Sequence, residues 1–143
     1  YKMIHETKKI MLGDKNAKDI KVTATAVRVP VPVGHGETVY FEVADADGAS
    51  TPKIQQALSE APGVVLEDDP ANQIYPQPIN AEGKRDTFVG RVRPDLENDG
   101  SYHMWVVSDN LLKGAAWNAV QIAERLVALD LVRVPEGSAE KFA

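Results

Sequence analysis

Apolar residues in this sequence alternate with period two in one short run after another. They recur with helical spacing in far fewer places. Val27, Val29, Val31 and Val33 alternate with Ala26, Arg28, Pro30 and Pro32, and Thr23 and Thr25 extend the valine face. Val39, Phe41 and Val43 alternate with Thr38, Tyr40 and Glu42. Such alternation puts every second side chain on one face of a pleated strand. It predicts strands over residues 20–33 and 37–45. The first has Pro30 and Pro32 near its end, so that end is an edge or an exit from the sheet. Gly34-His35-Gly36 separates the two, as a hairpin or a bent continuation. Further strands are predicted over 64–66, 87–93 and 102–107, with Phe88 and Val92 on one face of the fourth and Val89 and Arg91 on the other.

Helical periodicity is confined to two longer stretches. Ile54, Ala57, Leu58 and Ala61 make an i, i+3, i+4, i+7 stripe. It follows a Ser50 or Thr51 cap and Pro52, and Pro62-Gly63 ends it. Ala115, Ala119, Ile122, Ala123 and Leu126 share one face of a helix predicted from Ser108-Asp109 to about Leu131. Residues 2–11 read as a helix end, 13–19 as a loop, 68–78 as a proline-rich loop, and the residues from Val134 as a frayed tail. The order is α-β-β-α-β-β-β-α. Parallel neighbours need long crossovers, and strands here outnumber crossovers. The fold class is therefore α+β: a mixed, largely antiparallel sheet with helices packed on one face.

The 143 residues are about the size of one domain, residues 1–143. A chain this long buries roughly 68–70% of its unfolded surface, so it can build a core without cross-links. There are 16 Lys+Arg against 21 Asp+Glu, a net charge of −5. That balance argues against a nucleic-acid or anionic-membrane surface. No apolar run approaches a membrane span. No signal peptide is visible, and the chain opens on Tyr1 rather than Met, as expected of a processed chain or a piece of a longer one. It has no cysteine. This excludes disulfides, thiolate metal sites and a cysteine nucleophile within these residues, and it suits a cytoplasmic protein.

Three constellations could carry chemistry. Arg28 lies on a predicted strand, and His35 lies between two glycines at its end. A guanidinium grips a carboxylate bidentately, and an imidazole moves protons near neutrality. The plainer alternative is an Arg paired to a local acid and a His exposed in a turn. Lys2, Lys8 and Lys9 with Glu6 could bind an anion or simply be solvated. Ser108-Asp109-Asn110 opens the long helix, where capping and ligand binding both need such residues. Gly114 inside that helix costs roughly 1 kcal/mol relative to Ala, which close packing on a neighbour or cofactor would explain. His5 and His103 lack metal-ligand spacing, so no metal is expected. Trp105 and Trp117 read as core or interface aromatics. No Gly-rich phosphate fingerprint is present.

Several of these motifs together resemble one family. Ala26-Val27-Arg28-Val29-Pro30-Val31 followed by Gly34-His35-Gly36-Glu37 is similar to the active-site strand and loop of aspartate-semialdehyde dehydrogenase. So are Tyr75-Pro76-Gln77-Pro78, Phe88-Val89-Gly90-Arg91-Val92-Arg93 and Trp105-Val106-Val107-Ser108-Asp109-Asn110-Leu111. Lys113-Gly114-Ala115-Ala116 and Asn118-Ala119-Val120-Gln121-Ile122-Ala123-Glu124 resemble the family's C-terminal helix, and Glu6-Thr7-Lys8-Lys9-Ile10 also fits. The match runs in order over about residues 2–132. Gly36 departs from it, because many members have Ser after the His.

The resemblance implies a substrate-binding and dimerisation domain similar to the C-terminal domain of glyceraldehyde-3-phosphate dehydrogenase. Residues 109–132 would then be the helix that packs on a nucleotide-binding domain. The implied reaction converts L-aspartyl-4-phosphate to the semialdehyde with NADP as cofactor and release of phosphate. It serves lysine, threonine and methionine biosynthesis. A cysteine upstream of Tyr1 would form the thioacyl enzyme, so the 143 residues alone are expected to be inactive. By motif position His35 resembles the acid/base, Arg28 the residue that holds the substrate carboxylate, and Lys2 the phosphate-binding lysine. Asn110 resembles the contact to the nicotinamide end of the cofactor. The implied partners are a small-molecule substrate and further copies of the chain, as a homodimer or homotetramer. The alternatives are a non-catalytic dimerisation module and another acyl-phosphate reductase, such as one acting on N-acetylglutamyl phosphate.

Overall fold

The computed structural model describes residues 1–14 and 16–133. The tail expected from Val134 lies outside them. Two compact units make up the chain, Tyr1–Pro30 and the part from Val31 onward.

The first unit contains helix α1, Lys2–Leu12, close to the expected boundaries. The predicted strand over 20–33 does not form: the stretch from Lys21 to Val29 joins no ladder. Val27 and Val29 are exposed. β-Branched alternation favours an extended backbone, but a strand also needs a neighbour's N–H and C=O groups. None of the described residues offers them here, so the first strand forms neither a hairpin with the next strand nor a bent continuation into it.

The second unit is built on a four-stranded sheet. Its strands are β1 (His35–Glu42), β2 (Val64–Leu66), β3 (Thr87–Pro94) and β4 (Ser101–Ser108). The spatial order is β1-β4-β3-β2. β4 pairs antiparallel with both β1 and β3, while β2 runs parallel to β3. The sheet is thus mixed and largely antiparallel, and the α+β class stands. Helix α2 (Thr51–Glu60) packs on β2 and β3. A short helix α3 (Pro78–Ala81) packs on β4. It was not anticipated in the proline-rich loop, nor was the 3₁₀ turn Pro70–Asn72. In α2 Ile54, Leu58 and the following Ala61 are half-buried while Ala57 stays exposed.

Ala81, Phe88 and Val107 form the core cluster, with Trp105 packed against it. Pro76 is fully buried. β3 departs from strict alternation. Its pairing with β4 shifts between Gly90 and Arg93, where two residues face one. Arg91 takes a left-handed φ of 57°. The Asp68 carboxylate accepts the Arg91 and Val92 N–H groups at 2.8 and 3.0 Å and the Gln55 side-chain amide at 2.9 Å. The extra residue brings Val92 into phase with Val89 rather than with Phe88, which corrects the expected face assignment. All three are buried.

The long helix expected from residue 109 begins as a π-helical segment, Leu112–Ala116, and continues as α4, Trp117–Ala128. Ser108 belongs to β4 rather than to the helix start. Ile122, Leu126, Val127 and Leu131 are exposed. Trp117 lies under the Arg85 guanidinium, 4.1 Å from the ring centroid. His103 pairs with Asp95 at 2.7 Å, a structural role. Among the described residues no helix is long and apolar enough to cross a membrane.

Candidate functional site

His35 was expected in a loop, but it opens strand β1. It pairs with Ser108, and Gly36 pairs with Val107. The cause is the length of β4. Its ladder runs to Ser108 and so gives His35 and Gly36 a partner that the local sequence does not reveal. The His35 side chain is exposed. Gly34, just before it, has a φ of 109°, a conformation that L side chains rarely adopt. A Cβ there would also meet Pro78 Cβ at 3.0 Å. Pro78, at the start of α3, therefore lies close to the entry to β1.

Asn110 comes to the same corner. The Gly34 N–H donates to Asn110 Oδ1 at 2.8 Å, across 76 positions of sequence. The bond fixes which end of the amide is which, because only the oxygen can accept.

Asp109 sets the geometry of this corner. Its Oδ1 accepts the Leu111 and Leu112 N–H groups at 2.7 and 2.9 Å, capping the helix. Its Oδ2 accepts the Gly83 N–H at 2.8 Å, tying the residues after α3 to the end of β4. Asp109 is 3% exposed. The Gly83 N–H first, then that of Leu112, holds its carboxyl below the ordinary 3.8. A depressed folded-state value contributes stability that is fully present above the ordinary value and is lost as pH falls through the lower one. Asp109→Asn is expected to lower the melting temperature at neutral pH. It should also flatten the loss of stability below about pH 4. Thermal melts across that range check this, and parallel pH dependences in the two proteins would overturn it.

Among the described residues nothing requires Gly114 to be glycine for space. An added Cβ would meet only Asn110 Cβ and the Asp109 carbonyl, both at 3.8 Å. The close packing expected there is not provided by the described residues. The π-helical pattern instead comes from the Gly114 N–H reaching the Asp109 carbonyl and the Ala116 N–H reaching that of Leu111, each at 3.1 Å.

The other two candidates sit in the first unit. Lys2 opens α1, is strongly exposed, and has Glu6 at 3.9 Å one turn on. Arg28 is exposed in the extended stretch before Pro30. Among the described residues no carboxylate lies within ion-pair distance of its guanidinium, so the local-acid alternative finds no support. The structure thus brings His35 and Asn110 to one corner and places Lys2 and Arg28 in the other unit. Among the described residues, no three His, Cys, Asp or Glu side chains cluster as metal ligands.

Residues 1–113 match the family described as semialdehyde dehydrogenase, dimerisation domain. An aspartate-semialdehyde dehydrogenase of Bacillus subtilis is 57% identical over 131 residues, which are 92% of this chain and 36% of that protein. A crystal structure of aspartate semialdehyde dehydrogenase II from Vibrio cholerae, complexed with ASA, superposes with a TM-score of 0.70 at 41% identity. That match covers 89% of this chain and 35% of the other. The Candida albicans enzyme with NADP gives a TM-score of 0.58 at 28% identity, covering 73% and 33% of the two chains. The chain spans about a third of the length of the relatives it matches.

Proposed function

This chain belongs to the semialdehyde dehydrogenase dimerisation-domain family, and on that premise we propose that it is the substrate-binding and subunit-contact part of an aspartate-semialdehyde dehydrogenase. The parent reaction is the NADP-dependent reductive dephosphorylation of L-aspartyl-4-phosphate in the cytoplasm, on the route to lysine, threonine and methionine. The observation that carries this reading is the bond from the Gly34 N–H to Asn110 Oδ1. It sets the proposed acid/base and the proposed cofactor contact side by side, on a chain 57% identical to a dehydrogenase of that name.

His35 exchanges a proton with the attacking thiol and later with the thiohemiacetal oxygen. The thiol comes from outside these residues, which hold no cysteine. Arg28 clamps the substrate carboxylate with its fork of donors, and Lys2 meets the phosphate as a point charge. Asn110 holds the carboxamide oxygen of the nicotinamide through Nδ2. NADP, when bound, supplies the hydride. The exposed Ile122, Leu126 and Val127 of α4 pack on the nucleotide-binding domain, and copies of the chain pair as a homodimer or homotetramer.

The test is phosphate-dependent reduction of NADP by the full-length chain with two substrates in parallel, aspartate semialdehyde and N-acetylglutamate semialdehyde. Turnover of the first alone is expected. Preference for the second reassigns the substrate, and turnover of neither leaves a non-catalytic subunit-contact module.

A further inference from the structure

The corner that carries His35 is shaped from beneath by Trp105, a side chain that the sequence marks as a core or interface aromatic. Trp105 lies on the central strand β4, opposite Thr38 of β1 and Gly90 of β3. Its ring leans along β1 onto Gly36, the residue after His35. A Cβ at Gly36 would fall inside the van der Waals surface of the ring atoms Cζ2 and Cη2. On the other side a Cβ at Gly90 would collide with the Glu67 carbonyl oxygen and meet Pro76 Cδ at 2.7 Å. Pro76 is fully buried, and its carbonyl accepts the Trp105 Nε1–H at 3.0 Å.

The ring is therefore not a loose side chain that a methyl group could push aside. Trp105 packs against Ala81, Phe88 and Val107, its nitrogen is tied to Pro76, and its outer edge occupies the side-chain position of Gly36. Among the described residues β1 is an edge strand whose one neighbour is β4. Edge strands bend more freely than central ones. Close packing transmits such a contact with little slack. On the other side of His35 a Cβ at Gly34 would meet Pro78 Cβ at 3.0 Å, so both neighbours of His35 lie close against other side chains.

We infer that Trp105 is a positioning residue for His35, acting through the backbone of Gly36. It touches neither substrate nor cofactor in this role. Its contribution is to hold the first residues of β1 where the imidazole reaches the reacting atoms. The inference rests on the acid/base reading of His35 proposed above.

Steady-state kinetics and thermal melts of the full-length chain test it with Gly36→Ala, Trp105→Leu and the double variant. Each single change is expected to lower kcat by about 10- to 100-fold, the effect of an ångström-scale misplacement, with KM little changed. The double variant should lose no more than Trp105→Leu alone, because the added methyl then enters vacated space. Should Trp105→Leu fail to fold, Trp105→Phe replaces it in the same comparison, since it keeps the core filled while withdrawing the outer ring and the Nε1 donor. A folded Trp105 variant with a lowered melting temperature and unchanged kcat overturns the inference. So does a double loss equal to the product of the single losses. His35→Ala, assayed alongside, separates the two levels. If it cripples kcat while the Trp105 variants are normal, this inference alone falls. If it leaves kcat intact, the acid/base reading falls and this goes with it.

Discussion

On the proposed reading, His35→Ala in the full-length protein is expected to lower kcat by about 10²- to 10⁴-fold and leave KM little changed. A positioned proton carrier acts in the transition state, so its removal is felt in kcat rather than in ground-state binding. The geometry supports that assignment on three counts. The imidazole is exposed rather than spent on the core. Its backbone is fixed by the pairing with Ser108. The residue before it is bonded to the side chain proposed to read the cofactor. Stopped-flow measurement of the thiol-acylation step, alongside steady-state turnover, locates the defect. A His35→Ala enzyme with parental kcat would remove the acid/base role altogether.

The second large effect is expected at Arg28, and it has the opposite kinetic form. Arg28→Ala should raise KM for the semialdehyde by about 30-fold or more, the usual consequence of removing one member of a desolvated charge pair. Binding of the carboxylate is common to ground and transition states, so kcat should move less than KM. Arg28→Lys should recover only part of the loss, since an ammonium cannot reproduce the two parallel hydrogen bonds of a guanidinium. Among the described residues no acid lies within ion-pair distance of the guanidinium. Full recovery by lysine would mean that only charge is read there. An unchanged KM in Arg28→Ala would place the carboxylate elsewhere.

What could be read from sequence was mostly local. Pro52 and the Ile54–Leu58 spacing located α2, and the run of β-formers located β4, because each signal lies within one element. Residues 21–29 show where such reading fails. Valines at every second position make a backbone extended, but pairing is decided by a neighbour, and Val27 and Val29 are exposed. For the same reason His35 looked like a loop residue: its strand exists only because β4 is long enough to reach it. The phase change at Arg91 depends on Asp68, 23 positions away, and no period count could place it. Among the candidate residues, His35, Asn110, Arg28 and Lys2 could each be named because motifs carry residue identity. Trp105 was not, because its role depends on the cross-strand register that lays its ring over Gly36.

The irregularity in β3 has a consequence for chain length. Gly90 faces Trp105 and Arg93 faces His103, so Arg91 and Val92 share a single partner position. The strand holds one residue more than its pairing consumes. A natural variant lacking that residue would still set Arg93 against His103, and nothing beyond it would slide. Only the double acceptance by Asp68 would lose its object. Within the sheet's ladders, this is the point where an ancestor could gain or drop a residue without re-indexing its neighbours. An acid at position 68 should therefore be inherited together with the longer form.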